Sequence, residues 1–235
     1  MYFISTSSKR KNVDTLNLRF ISPHRKGLVR LLYLYYLRFF KHPLIYIVNE
    51  LEDCEEVLDL GCGRYSPISS IHFSYCIGVD LFLPYFHEAK QRKTHHELIH
   101  ADIRRLEFKP KSFDAVIALD VIEHLTKKEG FELIKKMEQM ARKKVILFTP
   151  NGYVHQTNSH YLLQMHKSGW SLNDFRKMGY ICKGMNGIKF LTGEEAHVKF
   201  RPTLLWQLIR DLSQKIIYHF PQCAFHLLCV KEVRE

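Results

Sequence analysis

The chain has 235 residues, of which 46% are hydrophobic and 13% aromatic. This composition supplies one sizeable core and excludes wholesale disorder, and the length suits a single α/β domain with an extension. The net charge of +11 first suggests an anionic partner. However, residues 1–41 carry nine Lys or Arg and one Asp, which is +8 of the total and leaves only +3 for residues 42–235. We therefore expect a basic N-terminal region and a nearly neutral main domain.

The N-terminal region divides into an arm and a helix. Residues 1–24 are polar and basic, and Pro23 opposes a continuous helix there. Residues 27–41 predict a helix that is apolar on most faces, with three basic side chains near one stripe. This helix either packs on the main domain with its basic edge in water, or serves as a substrate lid or a membrane-surface helix. Peripheral membrane contact through residues 1–41 is therefore one expectation.

Targeting and cysteine patterns favour a cytoplasmic protein. The N-terminus lacks the order of a secretory signal, and the longest apolar run, residues 31–37, is far shorter than the ~18–20 residues of a membrane span. The six cysteines are scattered, with no Cys-x-x-Cys pair and no zinc-ligand spacing. We expect buried free thiols in a reducing compartment.

From residue 42 onwards, short β-branched runs alternate with amphipathic stretches, which is typical of βα repeats on a parallel sheet. Residues 185–202, with two glycines, are predicted to form a loop beside the ligand-binding site at the edge of this sheet. The predicted strands are residues 56–60, 75–80, 97–101, 115–119, 144–148, 180–184 and 225–230. The predicted helices are residues 44–52, 84–91, 128–141, 171–178 and 204–220.

A glycine turn after the first strand is the most informative motif. Val57-Leu58-Asp59-Leu60-Gly61-Cys62-Gly63 reads as a buried strand that ends in a tight turn, where missing Cβ atoms let a ligand approach the backbone. The second strand ends in Asp80, 17 positions after Gly63, where an acid can accept hydrogen bonds from both hydroxyls of a ribose. Together the two features predict a nucleoside-containing cofactor.

The turn also indicates which cofactor. A dinucleotide site needs Gly-x-Gly-x-x-Gly, but the sixth position here is Ser66, followed by Pro67. Asp59 would repel a pyrophosphate, whereas it suits a cofactor with a cationic amino-acid portion. S-adenosylmethionine has such a portion, with an ammonium group and a sulfonium.

The sequence resembles the class I S-adenosylmethionine-dependent methyltransferases over residues 42–235. Asp59-Leu60-Gly61-Cys62-Gly63 is similar to that family's first motif, although Tyr65 stands where a third glycine is common. His100-Ala101-Asp102-Ile103 resembles the third motif, residues 113–125 the fourth, and Phe148-Thr149-Pro150-Asn151-Gly152 the end of the fifth strand.

The resemblance implies a fold and a cofactor site. The predicted fold is α/β and Rossmann-like, with a seven-stranded, mostly parallel sheet, helices on both faces and the N-terminal helical extension. The first motif would line the methionine end of S-adenosylmethionine, Asp80 the ribose, and Asp102 with Ile103 the adenine. The cofactor-binding residues would be Asp59, Gly61, Cys62, Gly63, Asp80, Leu81, Asp102, Ile103, Leu119 and Asp120.

Transfer to a hydroxyl also requires removal of a proton, by a base or a metal. Asp120, Glu123 and His124 have the i, i+3, i+4 spacing that would place them on one face of a helical turn, and His166 offers a second imidazole. In one hypothesis, His124 or His166 is a general base. In another, all four residues bind a divalent metal that orients two hydroxyls. In a third, Glu-His after the fourth strand is only a structural feature of the superfamily.

The metal hypothesis resembles the RNA 3′-terminal 2′-O-methyltransferases, whose Glu-x-x-Glu-His and downstream His hold a metal. Asp120 replaces the first Glu of that pattern, and the nearly neutral main domain lacks an obvious RNA-binding charge. The aromatic and aliphatic residues of segments 153–165 and 185–202 favour an oxygen of a small, lipid-linked or glycan-like acceptor. RNA 2′-O-methylation and a non-catalytic cofactor-binding or membrane-docking module are the alternatives.

Overall fold

The computed structural model describes residues 39–40, 42–155, 162–193 and 198–233. The N-terminal arm and most of the helix predicted over residues 27–41 lie outside the described residues. Phe39 and Phe40 are helical. The division of the chain at residue 41 stays a prediction.

Seven strands form one sheet in the order β3-β2-β1-β4-β5-β7-β6. All neighbouring strands are parallel except β7, which runs antiparallel to both β5 and β6. The mostly parallel seven-stranded sheet predicted from the sequence is therefore confirmed. The strands are β1 Glu56–Leu60, β2 Tyr75–Asp80, β3 Glu97–His100, β4 Phe113–Leu119, β5 Ala141–Pro150, β6 Ile181–Ile188 and β7 Ala224–Glu232.

Helices cover both faces of the sheet, because successive side chains of a strand point to opposite faces and pack against different helices. Along β1, Leu58 packs into one hydrophobic cluster and Val57 into the other. The first cluster includes Leu133 of α3, and the second includes Ile47 of α1. The helices are α1 Pro43–Glu50, α2 Leu83–Arg92, α3 Lys127–Met140, α4 Leu172–Lys177 and α5 Thr203–Ile217. No helix among the described residues combines the length and apolar content needed to cross a membrane.

Strand β6 is longer than predicted, so the predicted loop at residues 185–202 begins too early. The strand continues because Met185 is fully buried and because the Gln214 amide of α5 donates to the Gly184 carbonyl. The Gln214 side chain also accepts from the Gly187 N–H. A bulge follows at Asn186 and Gly187, which both have positive φ. Four of the six cysteines are buried as expected, whereas Cys182 is half-buried and Cys223 is exposed.

Trp170 fixes the segment that follows β4. Its ring is fully buried against α3, where a Cβ on Gly130 would lie 2.3 Å from the indole Cζ2. The indole Nε1–H donates to the Ile122 carbonyl and to the Ser168 hydroxyl, at 3.2 and 3.0 Å. In addition, the Lys167 and Ser168 N–H groups both donate to the Glu123 carbonyl. These hydrogen bonds join the segment after β4, at Ile122 and Glu123, to residues 167–170 at the edge of the sheet.

Candidate functional site

A cavity of about 530 Å³ opens at the carboxyl ends of β1 and β4, within the usual size of ligand pockets. The chain leaves these two adjacent strands towards opposite edges of the sheet, which creates the crevice where such folds bind ligands. His124 lines the cavity, and so do three residues of α1, Pro43, Leu44 and Ile47, together with His42, the residue before this helix. All ten residues predicted to bind the cofactor line it: Asp59, Gly61, Cys62, Gly63, Asp80, Leu81, Asp102, Ile103, Leu119 and Asp120.

The glycine turn is held close to β2. Gly61 and Gly63 have φ values of +72° and +58°, a backbone region that favours glycine. The Gly61 and Cys62 N–H groups donate to the Val79 carbonyl at 2.8 and 3.0 Å. A Cβ on Gly61 would lie 2.5 Å from Val121, whereas one on Gly63 would face open space. Gly61 therefore serves packing, and Gly63 leaves room for a ligand.

Asp80 closes the opposite side of the turn. Its carboxylate is buried and accepts from the Gly63 N–H at 2.8 Å and the Phe82 N–H at 2.7 Å, one on each oxygen. Burial raises the pKa of Asp80, and the two hydrogen bonds oppose that shift. Each oxygen keeps a second lone pair, so the pair of oxygens can receive two ribose hydroxyls.

The Asp59 carboxylate lies deeper, with 2% of its surface exposed. Its Oδ2 accepts from the Ser66 hydroxyl and lies 3.1 Å from Nε2 of the buried His95. The role of His95 was missed, and no sequence signal marks it, because its partner is 36 positions earlier in the chain.

Asp102 and Ile103 lie on the third side of the cavity, after β3. The Arg104 guanidinium binds both oxygens of Asp102 at 2.7 to 3.1 Å. This hydrogen bonding lowers the pKa of Asp102, so the carboxylate stays ionised and able to accept. Ile103 and Leu119 add apolar lining.

The segment after β4 differs from the predicted helical turn. Only residues Ile122–His124 form a short 3₁₀ turn. Asp120 precedes it with φ of +54°, and its N–H donates to the Phe148 carbonyl of β5 at 2.8 Å. The prediction that Asp120, Glu123 and His124 share one helical face is therefore wrong, because the chain bends sharply before the helix begins. Asp120 instead places Oδ1 3.5 Å from Nε2 of His226.

Glu123, His124 and His166 come together. One ligand atom from each lies within 4.8 Å of the other two, and this is the only such group of three in the described part of the chain. Glu123 is 2% exposed, and its Oε2 accepts from the Thr149 hydroxyl at 2.9 Å. The two imidazole rings are 5.0 Å apart between centroids. The sequence placed these three residues near one edge, but Asp120 is not part of the group.

Each imidazole uses its Nδ1 on a backbone carbonyl. His166 Nδ1 lies 2.8 Å from the Val154 oxygen, and His124 Nδ1 lies 3.4 Å from the Met165 oxygen. Since a carbonyl only accepts, Nδ1 carries the hydrogen and Nε2 keeps a lone pair. Histidines that bind metals commonly donate their other ring N–H to a backbone carbonyl in this way, which fixes the orientation of the ring.

The electrostatics of the three side chains suit a cation. Burial lowers the pKa of His124, as does the neighbouring His166, and burial also lowers the pKa of His166. Burial and the nearby Asp120 raise the pKa of Glu123. The result is two neutral imidazoles and a carboxyl group whose ionised form lacks a countercharge. A divalent cation would supply that charge, so the three residues fit a metal.

Comparisons with known proteins identify a methyltransferase domain. A family model described as a methyltransferase domain matches residues 58–149. No curated protein sequence matches the chain. The matching region spans the first and fourth motifs, from β1 to β5.

Solved structures show the same fold. The methyltransferase domain of bacterial CtHen1 aligns with a TM-score of 0.51 and 18% identity, covering 83% of this chain and 98% of that chain. A SAM-dependent methyltransferase from Archaeoglobus fulgidus gives 0.50 and 15%, covering 85% and 99%. Magnesium protoporphyrin IX methyltransferase from Synechocystis PCC 6803, with bound SAM, gives 0.50 and 16%, covering 92% and 88%.

The family-model match, the sheet order and the cavity lined by the motif residues lead to one assignment. Residues 58–149 form a methyltransferase domain, the chain has the fold of solved S-adenosylmethionine-dependent methyltransferases, and the protein is a methyltransferase that uses S-adenosylmethionine.

Proposed function

We propose that the protein is a metal-dependent O-methyltransferase that acts on one of two neighbouring hydroxyls, and that its acceptor is the 3′-terminal ribose of an RNA. The observation that carries the proposal is the group formed by Glu123, His124 and His166, with both imidazoles held through Nδ1. This replaces our sequence-based preference for a small, lipid-linked or glycan-like acceptor. Those acceptors become outcomes of the test.

The donor set supports a divalent metal over a general base. Two imidazoles and one carboxylate suit first-row divalent ions such as Mn²⁺ and Co²⁺, and three protein ligands leave positions for acceptor oxygens. A bound metal would lower the pKa of a coordinated hydroxyl and hold it for attack. A lone general base would not need the buried Glu123 beside it, whose ionised form is costly without a cation.

The surroundings of the group support a nucleotide acceptor. His124 lines the same cavity as the cofactor residues, so an oxygen bound at this group would face the methyl donor. Lys167 follows His166 and also lines the cavity, where its ammonium would suit the phosphate next to a terminal ribose. The basic N-terminal region, residues 1–41, would add sequence-independent attraction to RNA.

The test is methyl transfer from labelled S-adenosylmethionine to short RNAs by metal-stripped protein. We expect transfer to the 2′ oxygen only after Mn²⁺, Co²⁺ or Mg²⁺ is added back, and only when the 3′ end carries both hydroxyls. RNAs ending in 3′-deoxyribose or in a 3′-phosphate should be poor acceptors. His124→Ala, His166→Ala and Glu123→Gln should abolish transfer, and the exposed His219→Ala serves as the matched control.

Two outcomes would overturn parts of the proposal. Transfer that persists in chelator yet fails in His124→Ala would replace the metal with a general base. Metal-dependent transfer to diol-containing glycans or lipids, with no transfer to RNA, would keep the metal and exclude the RNA acceptor.

A further inference from the structure

A buried chain of hydrogen bonds lies behind the glycine turn and ends at Asp59. Thr94 Oγ1 lies 2.8 Å from His95 Nδ1, and His95 Nε2 lies 3.1 Å from Asp59 Oδ2. The His95 side chain is completely buried. Strand β2 makes room for the ring, since a Cβ on Gly78 would lie 2.7 Å from His95 Nδ1. The ring therefore has one tightly enclosed position.

The partners of His95 define its hydrogen positions. A carboxylate oxygen only accepts, so Nε2 carries the hydrogen and donates it to Asp59. On the other side of the ring, Nδ1 pairs with the Thr94 hydroxyl. Both ring nitrogens therefore have a hydrogen-bond partner.

The two oxygens of Asp59 are not equivalent. His95 and the Ser66 hydroxyl both bind Oδ2, while Oδ1 has no hydrogen-bond partner among the described residues. A buried carboxylate oxygen without a partner is costly unless a ligand satisfies it. Asp59 lines the cofactor cavity, so a cationic group of the cofactor can reach it.

We propose that His95 is a positioning residue for cofactor recognition, which holds Asp59 so that Oδ1 receives the α-ammonium of S-adenosylmethionine. His95 itself is enclosed behind Asp59 and acts only through that carboxylate. Its loss should therefore weaken the ligands that carry the ammonium and spare those that lack it. This inference depends on the cofactor and is independent of the proposed metal and acceptor.

The experiment measures binding of three ligands by calorimetry. S-adenosylmethionine and S-adenosylhomocysteine carry the ammonium, and 5′-methylthioadenosine lacks the whole amino-acid portion. For His95→Leu we expect about 10- to 100-fold weaker binding of the first two, the range for one hydrogen bond to a charged group, and unchanged binding of the third. His95→Gln, which places an amide N–H near the position of Nε2, should restore most of the affinity.

The controls separate positioning from a purely structural role. His96→Leu is the matched control, because this neighbouring exposed imidazole bonds the Cys76 backbone rather than Asp59. In an Asp59→Asn background, His95→Leu should cause no further loss for the ammonium ligands. Equal weakening of all three ligands, or full additivity with Asp59→Asn, would overturn the proposal.

A second variant keeps the proposal testable if His95→Leu does not fold. Thr94→Val removes only the hydroxyl that fixes the far side of the ring. It should weaken the two ammonium ligands several-fold and leave 5′-methylthioadenosine unchanged. Unchanged binding of all three ligands to folded Thr94→Val would count against a positioning chain.

Discussion

The Gly63 N–H donates to Oδ2 of Asp80 at 2.8 Å, so the carboxylate at the end of β2 holds the turn at the end of β1. The other oxygen, Oδ1, accepts from the Phe82 N–H at 2.7 Å. One side chain thus shapes the turn and faces the cavity at the same time. Its role in the shape of the site and its role towards the ribose are coupled, and substitutions at this position should affect both.

Asp80→Asn tests this coupling with almost no change in size. The amide NH₂ cannot accept, so one backbone N–H loses its partner and one ribose hydroxyl loses its acceptor. We expect S-adenosylmethionine to bind about 10- to 100-fold more weakly by calorimetry, in line with hydrogen bonds to a charged group. The exposed Glu132→Gln should bind as wild type. Wild-type affinity in Asp80→Asn would rule out the ribose role.

The two turn glycines should respond differently to alanine. Both have positive φ, which costs an alanine about 1–2 kcal/mol. At Gly61 the added Cβ also meets Val121 at 2.5 Å, whereas at Gly63 it enters open space in the cavity. Gly61→Ala should therefore lower Tm much more, and Gly63→Ala should mainly weaken cofactor binding. Val121→Ala should recover part of the Tm of Gly61→Ala, and an equal loss of Tm in both single variants would contradict this account.

The features that were predictable from sequence are those encoded locally. The turn from Asp59 to Gly63 and the acid at Asp80 each lie within one strand end, so their spacing alone placed them at one edge of the sheet. The His95–Asp59 contact joins residues 36 positions apart, and no motif or spacing in either segment predicts it. Only tertiary packing makes such a contact.

The turn at Asp120 shows a second limit of sequence reasoning. The helical spacing predicts that Asp120, Glu123 and His124 share one face. However, Asp120 has a left-handed backbone conformation, which changes the direction of the chain before the 3₁₀ turn. The cause is a backbone hydrogen bond to Phe148 of the neighbouring strand, which no periodicity reveals. Glu123 and His124 still meet His166, since the Glu123 carbonyl accepts from Lys167 and Ser168.

Metal binding should become tighter as pH rises. Burial and Asp120 raise the pKa of Glu123, so a larger fraction of this carboxyl is protonated in the metal-free protein and must release its proton to bind a cation. The pKa values of His124 and His166 are lowered, so both rings are already neutral at neutral pH and release no further proton. Calorimetry of Mn²⁺ binding in buffers of different ionisation enthalpy should show net proton release.

The Glu123→Gln variant is the control for that titration. Its neutral amide has no proton to release and no charge for the cation, so both the affinity and the proton release should fall. An Mn²⁺ affinity of the wild type that stays constant from about pH 6 to about pH 8 would contradict the role assigned to Glu123.

Trp170 should stabilise both the fold and the proposed metal site formed by Glu123, His124 and His166. Trp170→Phe keeps an aromatic ring against α3 but removes the Nε1–H that binds the Ile122 carbonyl and Ser168 hydroxyl. We expect a loss of about 0.5–1.5 kcal/mol in the free energy of unfolding, because the Ile122 carbonyl keeps the Ser168 hydroxyl and the Leu125 N–H as donors. Ile122 precedes Glu123, and the Ser168 N–H donates to the Glu123 carbonyl, so Mn²⁺ affinity should fall more than S-adenosylmethionine affinity.

Urea unfolding and titrations with Mn²⁺ and S-adenosylmethionine measure these effects of Trp170→Phe, with Trp206→Phe as the half-buried control. Equal losses for metal and cofactor would mean that Trp170 supports the domain as a whole rather than the joined segments.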